Sequence, residues 1–173
     1  MSYTEMYKVD RDGNVHHAAE FHNSHRGAWL VWKQMCERYL HKDAVMLIME
    51  PGNGGMQEVW DLWKAPRVLR QHRIVMASTF DRVMVRRDNL LRLIEAIEEY
   101  AKDFDPGTLL AQARKLQELV QDDEVIAVCW NQTSVNCNPW WVYDGDDELD
   151  EGRSYNVNAD ENHWFLFEGI DAQ

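Results

Sequence analysis

The amino-acid sequence predicts an α+β fold, a mostly antiparallel sheet of about five to six strands with about three to four helices packed on one face. Two alternating stretches flank an Asp-Gly turn near the N-terminus, and amphipathic helix patterns fill the middle of the chain. Short apolar stretches rich in aromatic residues follow them. Strands therefore precede and follow the helices without the regular alternation of a parallel α/β sheet.

The N-terminal pattern predicts a hairpin followed by a helix. Tyr3–Val9 and Val15–His22 alternate apolar and polar side chains on either side of the turn Asp10–Asn14, which indicates a β-hairpin. Ser24 is a candidate cap for the next element. From Gly27 to Leu40 large apolar residues recur at helical spacing, with charged residues on the opposite side.

The middle of the chain has weaker signals. Ala44–Met49 predicts a short strand, Pro51–Gly55 a loop, and Met56–Lys64 a helical turn. A short helix is predicted to begin near Pro66, because proline suits the first position of a helix. Arg82–Arg87 predicts a strand with valines on one face and arginines on the other.

The second half predicts two helices and three strands. Asp88 is a candidate cap for an amphipathic helix that ends at Pro106, and Thr108 is a candidate cap for the next helix. Val125–Trp130 is apolar on both faces, which is typical of a central strand. Two further strand candidates follow it, Trp140–Tyr143 and Trp164–Phe167. At 173 residues and 45% hydrophobic residues, one globular domain over residues 1–173 is expected.

The net charge of −12 comes entirely from residues 101–173, called the acidic third here. Residues 1–100 contain 14 acidic and 14 basic side chains, whereas the acidic third contains 16 acidic and 4 basic ones and many aromatic residues. We expect this third to be folded, with a surface of one dominant charge. Direct binding to nucleic acid is not expected of such a surface, because phosphates would be repelled.

The sequence contains no recognisable catalytic or cofactor motif, so no cofactor is predicted and a non-enzymatic function is favoured, with an enzyme kept as an alternative. The charge favours a non-enzymatic binding protein that docks a basic surface of a protein partner, with tryptophans as anchors. The small size and the lack of a motif are typical of an accessory protein of a phage or mobile element. The predicted docking residues are Trp140, Trp141, Asp144, Asp146, Asp147, Glu148, Asp150 and Glu151.

A first alternative uses a band of arginines that could hold an anionic, phosphate-bearing ligand, in a small binding domain or an enzyme. This arginine band comprises Arg67, Arg70, Arg73, Arg82, Arg86, Arg87 and Arg92, of which the first six are the predicted anion-binding residues. A simpler interpretation is internal: the band faces the acidic third and partly neutralises it.

A second alternative is a metal site at the N-terminal histidines, His16, His22 and His25. On a regular strand His16, Glu20 and His22 share one face, and imidazoles with a carboxylate suit zinc or a similar metal. The simpler interpretation is a polar outer face of the hairpin.

A cytoplasmic protein without membrane contact is predicted. The longest apolar run, Ala44–Met49, has six residues, far fewer than the roughly 20 that a membrane span needs. The N-terminus lacks the pattern of a signal peptide, and the three cysteines lack CxxC spacing, which favours reduced thiols. A homodimer formed through a sheet edge near Trp141 is an additional expectation.

Overall fold

The α+β fold is observed in the structure, a computed structural model that describes residues 3–22, 27–45, 55–132, 138–143 and 152–172. A five-stranded sheet has the order β2-β1-β4-β3-β7, and β5 and β6 form a separate two-stranded sheet. Every neighbouring pair in the large sheet is antiparallel except β3 and β7, which are parallel. The acidic third contributes β4 and β7, so both ends of the chain build one sheet.

The strands are β1 (Tyr3–Val9), β2 (Val15–His22), β3 (Val83–Arg86), β4 (Ala127–Asn131), β5 (Trp141–Val142), β6 (Arg153–Ser154) and β7 (Trp164–Phe165). The α-helices of the described ranges are α1 (Gly27–Tyr39), α2 (Gly55–Trp60), α3 (Arg70–Ala77), α4 (Leu90–Asp103), α5 (Leu109–Val120) and α6 (Leu166–Asp171). Short 3-10 segments cover Asp61–Lys64 and Arg87–Asn89. The predicted number of helices matches those of eight residues or more, α1, α3, α4 and α5.

The main core lies between the helices and one face of the sheet. Side chains from alternating strand positions, such as Met6 on β1 and Val85 on β3, pack against buried residues of α1, α3, α4, α5 and α6. The strongly amphipathic helix α4 buries Leu93, Ile97 and Tyr100 there, as its 3.6-residue periodicity predicts. The prediction of helices on one face of an antiparallel sheet is therefore confirmed.

A second, smaller core covers the opposite face of the sheet. Tyr7, Met84 and Cys129 point away from the helices and pack with Trp140 and Tyr155 from the acidic third. Because the strands are apolar on both faces, each face needs a cover, and the C-terminal segment supplies the second one.

The N-terminal hairpin is confirmed, and it contains a bulge that alternation does not reveal. Gly13 has a φ of +87°, a left-handed conformation that glycine adopts without strain. The register shifts between Met6 and Tyr7, so β2 has one residue, Ala18, without a partner on β1. This extra residue reverses the faces to which the later side chains of β2 point.

Several predicted boundaries are wrong. Helix α3 begins at Arg70 rather than near Pro66, because residues 65–68 close a turn and Leu69 is extended with a ψ of 139°. The predicted strand Trp164–Phe167 ends at Phe165, and the chain continues as α6, which buries Leu166, Phe167 and Ile170.

Two other predicted strands also differ from the structure. The predicted strand Trp140–Tyr143 is reduced to Trp141–Val142 and lies outside the large sheet. Most of the predicted strand Ala44–Met49 and of the loop Pro51–Gly55 lies outside the described residues. No helix in the described ranges is both long and apolar enough to cross a membrane.

Candidate docking site

The hairpin formed by β5 and β6 holds the two ends of the most acidic part of the chain. Trp141 pairs with Ser154 and Val142 with Arg153, which brings Tyr143 and Gly152 to one place. We call residues 141–143 and 152–154 the docking hairpin. Between them, residues 144–151 contain six carboxylates and no lysine or arginine, which is half of the net charge of −12. The predicted residues Asp144, Asp146, Asp147, Glu148, Asp150 and Glu151 lie outside the described residues.

The docking hairpin is fixed to the second core by Trp140, which is only 1% exposed. The indole N–H of Trp140 donates a hydrogen bond of 2.8 Å to the carbonyl oxygen of Trp130, and its ring meets the ring of Tyr155 edge-on at 5.4 Å. The predicted role of Trp140 as a surface anchor is therefore wrong. Its indole covers apolar sheet residues and uses its polar atom internally, which leaves no surface for a partner.

The exposed rings belong to the next residues. Trp141 is 38% exposed and Tyr143 is 64% exposed, so both present aromatic surface at the start of the acidic segment. On the opposite arm, Gly152 has a φ of +63°. A Cβ at this position would lie 2.7 Å from the backbone carbonyl oxygen of Val142. A glycine is thus required for the two arms to approach so closely. The prediction of Trp141 as an exposed aromatic residue agrees with the structure.

A polar network fastens the other arm of the docking hairpin. The guanidinium of Arg153 donates to both carboxylate oxygens of Asp160, at 2.8 and 2.7 Å. This contact is the main reason why the pKa of Asp160 is lowered to about 2. The hydroxyl of Tyr155 lies 3.0 Å from the carbonyl oxygen of Asp160 and 3.0 Å from Nδ1 of His163. Arg153 is also the only lysine or arginine after Lys115. Residues 144–151 therefore have a single basic residue close to them in the sequence.

The arginine band is engaged by carboxylates of the acidic third. Arg70 and Arg92 both bind Asp171, the latter at 2.8 Å, and Arg86 binds Glu168 at 3.0 Å. Arg92 is the first cause of the lowered pKa of Asp171. The guanidinium of Arg87 binds Asp123 at 2.6 Å and also donates to the carbonyl oxygen of Val120.

Three arginines also stack on aromatic rings of the C-terminal segment. Arg86 lies 3.6 Å from the ring centre of Phe165, Arg92 lies 4.1 Å from that of Phe167, and Arg82 lies 5.7 Å from that of Tyr155. Of the other predicted anion-binding residues, Arg67 is exposed and Arg73 is half-buried. A cavity of about 240 Å³ beside Arg86 is lined by Glu168 and Asp171, carboxylates that would repel an anion. The internal interpretation of the band is the one that these contacts support.

His16 and His22 are not brought together. His16 lies opposite Lys8 and His22 opposite Tyr3, positions on opposite faces of β1, so the bulge at Ala18 separates two residues that were expected to share a face. Nε2 of His16 lies 2.7 Å from the carboxylate of Asp10, and His25 lies outside the described residues. No group of three histidine, cysteine or acidic side chains suited to a metal occurs in the described ranges.

Sequence reasoning missed a buried histidine, His72, which is 0% exposed. Its Nδ1 lies 2.8 Å from the hydroxyl of Tyr39 on α1, and its Nε2 lies 3.0 Å from the carboxylate of Asp103 on α4. The backbone N–H of Leu69 also donates to the Tyr39 hydroxyl, at 3.3 Å. The network joins three helices. The sequence signal was a histidine at an apolar position of a short helix, which periodicity alone cannot distinguish from a surface residue.

Comparison of the chain with protein family models, with curated proteins and with solved structures finds no match.

Proposed function

We propose that the protein is a non-enzymatic binding protein that docks a basic surface of a macromolecular partner, namely a protein. One observation carries the proposal: Trp141 and Tyr143 expose their rings at the start of a segment with six carboxylates and no basic residue. The hairpin that presents them is anchored in the second core through Trp140.

The two parts of this surface have different physical roles. Clustered carboxylates attract a basic partner over several ångströms and raise the rate of association, which salt then screens. Aromatic side chains supply short-range contact area, and tryptophan and tyrosine are enriched among residues that dominate binding energy. The rigid attachment of the docking hairpin lowers the entropy cost of binding at its two exposed rings.

The contacts of the arginine band support this function over the anion-binding alternative. Arg70, Arg86 and Arg87 already bind carboxylates of the chain itself, so an added anion would have to displace them. The same pairs neutralise acidic groups elsewhere in the acidic third, whereas the sequence of residues 144–151 itself contains six carboxylates and no lysine or arginine. We further propose that the protein works in the cytoplasm, as an accessory protein of a phage or mobile element.

The test is a comparison of three variants in a capture experiment from a native lysate, at low and at high salt. The first replaces Asp146, Asp147 and Asp150 by asparagine, and its matched control replaces Glu95, Glu98 and Glu161, three exposed carboxylates, by glutamine. We expect wild type to enrich basic proteins, the control to enrich the same ones, and the first variant to bind them about tenfold less.

The third variant, Trp141→Ala with Tyr143→Ser, separates anchoring from steering. It is expected to bind more weakly but to keep the salt dependence of wild type, because the charges remain. The proposal fails if the Asp146/Asp147/Asp150 variant captures the same proteins as wild type, or if salt has no effect on capture.

A further inference from the structure

Helices α4 and α5 form a hairpin whose outer side carries a groove. The connection between them, residues 104–108, is short, so α5 runs back along α4. The groove has a volume of about 360 Å³ and is lined by Ile94 and Glu98 of α4 and by Leu110, Ala113, Arg114 and Gln117 of α5. We call it the helical groove. The structure describes both helices and their connection without a gap.

Large apolar side chains are exposed near both ends of the helical groove. Leu110 lies in the first turn of α5 and is 36% exposed, whereas Leu91 lies in the first turn of α4 and is 48% exposed. Because the two helices are antiparallel, their first turns are at opposite ends of the hairpin. Single exposed leucines are ordinary on a protein surface, but two on one face beside a groove are typical of a contact surface.

The two sides of the helical groove carry opposite charges. The outer side of α4 exposes Glu95 and Glu98, and the outer side of α5 exposes Arg114. The lysines of the two helices, Lys102 and Lys115, are each paired with a glutamate of their own helix. Within the described ranges, none of Glu95, Glu98 and Arg114 forms an ion pair. These three charges are therefore available to a second molecule.

This arrangement is complementary to itself. A two-fold rotation about an axis along the helical groove exchanges its two sides and keeps each residue at its position along the helices. Helix α4 of one copy then lies over α5 of the other, so Glu98 faces Arg114 of the second copy, and Arg114 faces its Glu98. A two-fold axis across the groove would instead place the acidic side of α4 against itself, where like charges repel.

We propose that two copies of this chain associate face to face through the helical groove, with two Glu98–Arg114 pairs between the copies. Leu91 and Leu110 supply apolar contact at the two ends, and the four helices pack as two helix pairs, ridges into grooves. The contact is isologous, so it closes with two copies and does not extend into a chain.

This contact and partner docking use different parts of the molecule, so they are tested separately. Charge variants in the helical groove leave Trp141, Tyr143 and residues 144–151 unchanged, and we expect them to capture the same basic proteins as wild type. A photoreactive probe in place of Leu91 should cross-link to a second copy of the chain, a product of twice 20.4 kDa, and to no basic partner. Absence of that product would contradict the face-to-face contact.

The experiment is sedimentation equilibrium of the purified protein over a wide range of concentration. Wild type is expected to move from 20.4 kDa towards twice that mass as the concentration rises. Glu98→Arg brings arginines together at both pairs, and Arg114→Glu brings carboxylates together there, so each variant alone should stay at 20.4 kDa. Arg67→Glu, the same charge reversal at an exposed residue in the turn before α3, should behave as wild type.

A mixture of the two variants tests the pairing itself. When Glu98→Arg chains meet Arg114→Glu chains, each pair joins an arginine to a carboxylate, so the mixture should dimerise although neither variant does so alone. Both changes are at exposed residues, and circular dichroism checks that each variant is folded. A wild type that stays at 20.4 kDa, a mixture that stays monomeric, or a single variant that dimerises as strongly as wild type overturns the proposal.

Discussion

Replacement of Trp140 by alanine is expected to lower the free energy of unfolding by about 4 kcal/mol, the cost typical of removing a large buried aromatic side chain. Trp140 is 1% exposed and packs on Tyr155 and the second face of the sheet. Its loss opens a cavity in the smaller of the two cores and leaves the carbonyl oxygen of Trp130 without its indole donor. Urea unfolding followed by circular dichroism measures the change.

Two matched variants separate the causes. Trp140→Phe keeps most of the apolar contact but loses the indole donor, so a smaller loss, about 2 kcal/mol, is expected. Trp141→Ala, the exposed neighbour, should cost less than about 1 kcal/mol. Equal destabilisation by Trp140→Ala and Trp141→Ala would show that Trp140 is not part of a core and would remove the anchor of the docking hairpin.

Replacement of His72 by alanine is expected to cost about 3 kcal/mol, because it leaves a cavity and removes the imidazole partner of the Tyr39 hydroxyl. The imidazole is fully buried between Tyr39, Tyr100 and Phe104. With the Tyr39 hydroxyl donating to Nδ1, the neutral ring carries its proton on Nε2, facing Asp103. Thermal unfolding of wild type, His72→Ala and the control Tyr39→Phe measures the contribution of the network.

His72 also makes stability depend on pH. Burial lowers the pKa of His72 below its ordinary value of 6.5, although Asp103 acts in the opposite direction. Above pH 6.5 the ring is neutral in both states and contributes no pH dependence. Below it, the unfolded chain binds a proton that the native protein does not, so stability falls by up to about 1.4 kcal/mol per pH unit until the native pKa is reached.

The comparison with His72→Ala isolates this linkage from the other titrating groups. The stability difference between wild type and the variant should shrink as the pH is lowered from about 7 to about 5, because only wild type carries the histidine. A difference that stays constant or grows over this range would show that the pKa of His72 is not lowered in the native protein.

Local patterns were sufficient for the elements whose periodicity is long and regular. The hairpin, α1, α4 and α5 were predicted within a few residues, because each contains a turn signal or a clear amphipathic stripe. The central position of β4 followed from its apolar character on both faces. Short elements are harder to predict from local patterns. The two-residue strand β7 is followed directly by helix α6 within a single apolar run, and tertiary contacts decide there between strand and helix.

The candidate site was predicted in part, for physical reasons that concern single residues. Trp140 and Trp141 are adjacent and identical in type, so only the fold shows that one is buried and the other exposed. The bulge at Ala18, which places His16 and His22 on opposite faces, leaves no mark in the alternation of β2. The charge asymmetry follows directly from the sequence. The ion pairs of Arg70 and Arg92 with Asp171 join residues far apart in the sequence, so only the fold reveals them.

Site-directed photo-cross-linking from position 143 tests the proposed docking surface most directly. A photoreactive phenylalanine analogue would replace Tyr143, which is 64% exposed, and a matched probe would replace Leu91, which is 48% exposed on α4. In the presence of the proteins that wild type captures, position 143 should cross-link a basic partner in low salt and lose it in high salt, while position 91 gives none. Equal cross-linking from both positions, or none from position 143 while capture persists, would contradict docking through this hairpin.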